Sequence, residues 1–147
     1  MSVDLQKRAF FRGRTIATDA LRMPWLKVPE RFTDLCSRCG HCITACPTGI
    51  IGSGDGGFPE IDFQKGGCLF CGDCAKACDE ALFDLSLLQP WNAKARVSDA
   101  CLNNRSVFCR SCAESCEHEA IWFDIETSLF VAPTVDADAC SGCGACV

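Results

Sequence analysis

The sequence predicts an α+β chain built from two small, cysteine-anchored modules in tandem behind a cysteine-free arm. Three observations predict this. Fifteen of the 147 residues are cysteines, and they fall into four groups: Cys36, Cys39, Cys42, Cys46; Cys68, Cys71, Cys74, Cys78; Cys101, Cys109, Cys112, Cys116; and Cys140, Cys143, Cys146. Short stretches with strand-type alternation lie between the groups, so that loop and strand patterns repeat along the chain. Residues 1–30 hold no cysteine and carry a different charge balance. The divisions that follow are an arm over residues 1–30, a first module over 31–92 and a second over 93–147.

The spacing of the cysteines decides what they bind. CxxCxxCxxxC places three thiolates on successive corners of a cubane iron–sulfur cluster, with the fourth corner held by a distant cysteine. Cysteines three apart bridge one another poorly, and no secretory apolar region precedes them, which argues against a disulfide scaffold. Zinc ribbons use paired cysteines, so the third member of each triplet would have no task. The last group is one cysteine short. Its fourth member would fall at position 150, and the expectation is a natural chain that continues past Val147. Were it to stop there, the incomplete site would hold a three-iron cluster or a four-iron cluster with one exchangeable corner.

Each pair of cysteine groups spans too few residues to bury a core that offsets its own chain entropy. Folding and cluster insertion are therefore expected to be one event.

The arm is basic. Residues 1–31 carry Lys7, Arg8, Arg12, Arg14, Arg22, Lys27 and Arg31 against Asp4, Asp19 and Glu30, a net +4 that leaves −9 on the rest of a chain of net charge −5. Partner docking and plain charge balance are both open on this pattern. No run of consecutive like charges supports nucleic-acid binding. Between Asp4 and Leu21 the apolar residues outline a weak amphipathic helix, interrupted at Gly13 and ended by Met23-Pro24-Trp25. The stretch Lys7-Arg8-Ala9-Phe10-Phe11 superficially suggests a twin-arginine export signal, but the arginine pair is absent. Arg12, Arg14, Asp19 and Arg22 also stand where its apolar region should lie. No stretch reaches the length of a membrane helix, so no membrane insertion and a cytoplasmic location are expected.

In the first module, Pro47 cannot continue a helix after Cys46. Gly49-Ile50-Ile51 begins a short strand, 52–57 turns the chain, and Phe58-Pro59-Glu60-Ile61-Asp62-Phe63 alternates as a return strand. A further strand is expected at 81–85. Pro90 and Trp91 mark the join. Beyond it, strands are expected at 93–97, 120–123 and 129–131, with a turn at 126–128. Seven residues separate Cys101 from Cys109 where the other groups have two; a tolerated surface loop and a docking element both fit that insertion. Gly40, Gly72, Gly142 and Gly144 let backbone amides approach cluster sulfides, and Phe70, Phe83, Trp122 and Phe123 are expected to pack near the clusters. Asp79 and Glu117 follow Cys78 and Cys116, where their negative charge disfavours an added electron. His41 is expected to be a surface residue, and His118 stands two residues past Cys116.

This arrangement resembles the bacterial two-cluster ferredoxins, with two such βαβ-duplicate modules in tandem. In that family the fourth cysteine of each motif serves the other cluster. The resemblance implies four 4Fe-4S clusters. Cys36, Cys39, Cys42 and Cys78 would hold the first, and Cys68, Cys71, Cys74 and Cys46 the second. Cys101, Cys109 and Cys112, with a fourth ligand absent from this chain, would hold the third, and Cys140, Cys143, Cys146 and Cys116 the fourth.

The whole chain, head included, resembles the NapF-type ferredoxins of the periplasmic nitrate reductase system. The residues that carry the likeness are the head 7–14, Arg22-Met23-Pro24-Trp25, Gly56-Gly57-Phe58-Pro59, and Asp99-Ala100-Cys101 with its long following loop. The resemblance implies a cytoplasmic protein that binds the catalytic molybdenum subunit of the reductase before export and helps it acquire its iron–sulfur centre. Arg8, Arg12 and Arg14 are the expected partner-binding residues. The alternative is an electron-transfer ferredoxin passing electrons between soluble partners. No nucleophile and base pair, phosphate-binding glycine loop or nucleotide-cofactor fingerprint points to an enzyme.

Overall fold

A computed structural model describes residues 20–126 and 128–147. The helical reading of the arm, and Arg8, Arg12 and Arg14 with it, lie outside these residues but for its last positions.

The described elements are short, because cysteine loops interrupt every run of regular backbone. Helix α1 spans Phe32–Leu35, α2 His41–Thr44, α3 Asp73–Lys76 and α4 Ser111–Glu114. Strand β1 (Ile51–Ser53) pairs antiparallel with β2 (Pro59–Ile61), with Ile51 opposite Ile61. Strand β3 (Ile121–Trp122) pairs antiparallel with β4 (Thr134–Val135). The first hairpin is the one expected from the alternation around the Gly52–Gly57 turn.

Three strand expectations are corrected. Residues 81–85 contribute a single bridge, Leu26 to Phe83, flanked by Lys27 N–H to the Leu82 carbonyl at 2.9 Å and Asp84 N–H to the Trp25 carbonyl at 2.8 Å. The partner is the single residue Leu26, too short a piece to read as a strand, and it follows a turn at Pro24-Trp25 where Trp25 is left-handed (φ 62°). Residues 93–97 have no strand partner among the described residues; they lie instead against the last cysteine loop. The partner of β3 is Thr134–Val135, while Leu129 and Phe130 form a turn. The Pro133 that precedes β4 masks its alternation. In chain order the first unit thus runs bridge residue, α2, β1, then β2, α3, bridge residue. That is a duplicated pattern whose outer strands have shrunk to Leu26 and Phe83.

The end of the arm is built into this first unit. Ile61 N–H donates to the Leu21 carbonyl at 2.9 Å, and Trp25 N–H to the Pro90 carbonyl at 2.6 Å. Arg22 donates to the Pro59 carbonyl at 2.8 Å while its guanidinium lies 5.2 Å from the Phe32 ring centre. Around Phe32 and Ile50 a core gathers Met23, Leu26, Ile51, Phe58, Leu82, Cys42 and Cys74. The second half buries Ala120, Ile121, Cys140 and Asn103, and leaves Leu102, Phe108, Trp122, Ile125, Leu129 and Phe130 exposed. Trp122, expected to pack near a cluster, is half exposed.

Candidate iron–sulfur centres

Three of the four cysteine loops share one backbone device. On either side of the second cysteine the chain turns left-handed: Arg38 and Gly40 (φ 62° and 81°) flank Cys39, Phe70 and Gly72 (52° and 75°) flank Cys71, and Gly142 and Gly144 (both 77°) flank Cys143. Glycine adopts this conformation without steric cost, and the two alternate turns fold the loop into a concave cradle with its amides inward. Two of these amides already point at sulfur: Arg38 N–H donates to Cys36 Sγ at 3.4 Å and Phe70 N–H to Cys68 Sγ at 3.5 Å. Gly40 and Gly72 then lead directly into α2 and α3, which carry Cys42 and Cys74 inward.

Three cavities collect the thiols. Cys36, Cys39, Cys42 and Cys78 line one, roofed by Phe32, Leu82 and Phe83. Cys46, Cys68, Cys71 and Cys74 line a second, together with Trp25, Ile50 and Phe70. Cys116, Cys140, Cys143 and Cys146 line a third, with His118 at its wall. In each, three thiols come from one loop and the fourth arrives from a separate cysteine group. Cys101, Cys109 and Cys112 lie near one another in the remaining group, where burial pushes the Cys112 thiol up and repulsion from Cys109 and Cys101 adds to it.

The thiols differ in character. Burial, with repulsion from Cys36 next in size, pushes Cys42 up to about 11; burial, with repulsion from Cys68 and Cys71, pushes Cys74 up to about 12. Burial acts against Cys46 as well, but the Thr48 hydroxyl and the amides of Ile51, Ile50 and Thr48 bring its pKa below the ordinary value. A buried thiol must lose its proton before it binds metal, so filling these positions releases protons.

Among the described residues, no three His, Cys, Asp or Glu side chains converge closely enough to hold a single metal ion. One zinc ion draws thiolates to about 2.3 Å. Four soft donors set around the wall of a cavity, with amides directed at sulfur, fit a multi-iron cluster instead.

Residues beside the cradles have settled places. His41 is exposed and its Nδ1 stands 3.1 Å from Asp79 Oδ2, tying the Cys39 loop to the residue after Cys78. Phe70 and Phe83 line cavities as expected. Phe123 instead lies under Arg110, whose guanidinium is 4.9 Å from its ring centre and 5.3 Å from that of Phe108.

The insertion after Cys101 is an anchored loop. It contains a 3-10 turn at Leu102–Arg105, and Asn103 is only 3% exposed. Its amide donates to the carbonyls of Cys109 (3.1 Å) and Val131 (2.9 Å), and its carbonyl accepts from Cys109 N–H at 2.9 Å. Sequence reasoning missed this residue, since an Asn-Asn pair in a polar loop carries no burial signal. Asn103→Ala leaves the Cys109 N–H and the partly buried carbonyls of Cys109 and Val131 without this partner, and a group left unpaired in that way costs up to about 1–3 kcal/mol. We expect that variant to lose iron from the Cys101 group to a chelator well before the other groups, as read by iron release kinetics.

These features define a ferredoxin-type iron–sulfur protein, and residues 28–81 match the family described as a 4Fe-4S dicluster domain. The ferredoxin-type protein NapF of Escherichia coli K12 is 39% identical over 99% of this chain and 90% of its own length. NapF of Haemophilus influenzae is 37% identical over 98% of this chain and 88% of its own. The methylamine utilization ferredoxin-type protein MauM of Methylorubrum extorquens is 32% identical over 86% of this chain and 66% of its own. No solved structure gives a significant match. The chain belongs to the NapF family of ferredoxin-type proteins.

Proposed function

We propose that the chain is a cytoplasmic carrier of four 4Fe-4S centres in two tandem modules. In this reading it binds the catalytic molybdenum subunit of periplasmic nitrate reductase before export and assists that subunit in acquiring its own iron–sulfur centre. The observation that carries this reading is the similarity to NapF over nearly the whole chain, cysteine-free head included. Cysteine spacing alone is common to many multi-cluster ferredoxins.

The first centre is assigned to Cys36, Cys39, Cys42 and Cys78, and the second to Cys68, Cys71, Cys74 and Cys46. The third belongs to Cys101, Cys109 and Cys112, and the fourth to Cys140, Cys143, Cys146 and Cys116. Three shared cavities support the complete quartets. When bound, each centre supplies one-electron exchange. The protein's own part is to hold the thiolates, aim amides at sulfur and shield the inner face with Phe32, Phe70 and Phe83. Arg8, Arg12 and Arg14 are assigned to partner recruitment, because guanidinium groups on a net-positive segment steer association and give directional donors to carboxylates.

A second reading, electron supply to a soluble partner, is favoured by the exposure of Cys39 and Cys71, which brings the rims of two cavities to the surface. Deleting the gene and assaying the exported reductase with an artificial electron donor separates the two. The proposal expects inactive, cluster-deficient reductase. Full activity with the artificial donor would instead establish electron supply. In a pull-down, replacing Arg8, Arg12 and Arg14 with alanine is expected to weaken capture of the catalytic subunit at least tenfold, and unchanged capture excludes their assigned role.

A further inference from the structure

The two halves of the chain meet at two of their cysteine loops. Cys68 N–H, in the first half, donates to the Cys143 carbonyl, in the second, at 2.7 Å. The approach depends on small residues. A Cβ on Gly67 would come within 3.3 Å of the Ala145 side chain, and one on Gly144 would enter the Phe63 ring. Trp91, from the segment joining the halves, donates its indole N–H to the Ser141 carbonyl at 3.0 Å. Its ring packs edge-on against Phe63 and Phe70 at centroid distances of 6.0 and 5.7 Å. Lys94 and Ala95 hold the same loop through the Cys140 carbonyl and Cys140 Sγ.

We propose that the Cys68–Cys143 contact is an electron passage between the halves, making the chain one conductor instead of two independent carriers. The inference rests on the ligand grouping proposed above, in which Cys68 and Cys143 serve different centres. A direct hydrogen bond between two ligand residues is a short through-bond link. The aromatic packing of Phe63, Phe70 and Trp91 beside it lowers the local polarity around the link. Within the first half, α2 and α3, which carry Cys42 and Cys74, pack against each other, so the two cavities there adjoin as well. The passage moves one electron. The centre in one half is oxidised by one unit and that in the other reduced by one, with no bond made and no proton moved.

The test uses the full, iron-loaded chain. One electron per molecule is delivered by a photogenerated low-potential one-electron reductant, and its redistribution between the halves is followed by freeze-quench EPR. The expected redistribution rate is independent of protein concentration. Gly67→Val and Ala145→Leu, which wedge the junction from opposite sides, should slow it at least tenfold with iron content unchanged. A rate proportional to protein concentration in the unmodified chain overturns the proposal without recourse to any variant. So does an unchanged rate in a fully loaded wedge variant. Full iron content in both Cys68→Ser and Cys143→Ser would instead overturn the ligand grouping on which the passage rests, and the two failures are thereby distinguished.

Discussion

Removing iron and sulfide from this chain will abolish its cooperative folded structure. Among the described residues the α-helices have four residues each and the strands two or three. Helices of that length do not persist in water, because one turn fixes several backbone dihedrals for a single hydrogen bond. Two-stranded hairpins are marginal for the same reason. The apolar core of the first half contains Cys42 and Cys74 among its buried members and is flanked by Cys36, Cys46, Cys68 and Cys78. Those thiols face cavities, so without a cluster the core has holes where its centre should be. The second half has fewer buried side chains still. Metal binding must then contribute the folding free energy, on the order of 10 kcal/mol per site by analogy with small structural zinc domains. After anaerobic chelation, far-UV circular dichroism is expected to show no thermal transition, and amide exchange at Ile51 and Ile61 should approach that of an unfolded chain. A retained cooperative transition in iron-free protein would refute this account.

Replacing Cys46 by serine will remove the centre held by the Cys68 loop and spare the one held by the Cys36 loop, although Cys46 is a neighbour of Cys42 in sequence. The thiol of Cys46 lines the cavity of Cys68, Cys71 and Cys74, while the cavity of Cys36, Cys39 and Cys42 is completed by Cys78. The reason is the direction of the short helix α2. It sends Cys42 inward to one cavity and releases the chain at Ala45, so that Cys46 emerges toward β1 and is met by the Thr48 hydroxyl at 3.5 Å. Double variants turn this into an additivity test. Cys46→Ser combined with Cys68→Ser should lose no more iron than Cys46→Ser alone, because both strike one centre. Cys46→Ser combined with Cys36→Ser should lose iron from two. Should the first pair be additive and the second not, each motif would serve its own centre and the crossed arrangement would fall.

Several local features were legible from residue order. The hairpin of Ile51–Ser53 with Pro59–Ile61 follows from alternation on either side of a glycine-rich turn. The cradle turns at Gly40, Gly72, Gly142 and Gly144 follow from glycine between closely spaced cysteines. Other features left no such mark. The bridge from Leu26 to Phe83 joins segments nearly sixty residues apart, each too short for a periodic pattern. Asn103 is buried where its amide meets the Val131 carbonyl, 28 residues further along the chain. The segment at 93–97 reads as a strand, but its backbone and side-chain donors are taken by Cys140, leaving no ladder.

The sequence by itself determined the chemistry of this protein. Thiolates at three-residue intervals set the donor type, the local loop shape and the number of cysteine groups, because those depend on chain geometry over a few residues. Which thiols face one another was implied only by family resemblance, not by spacing, and is decided by the tertiary structure. Cys78 reaches the Cys36 loop, Cys116 reaches the Cys140 loop, and Cys68 bonds to Cys143 across the two halves. Those encounters are set by the packing of Phe32, Phe63 and Trp91 and by the close approach that Gly67 and Gly144 permit. Packing of that kind joins residues remote in the chain, and spacing along the chain carries no record of it.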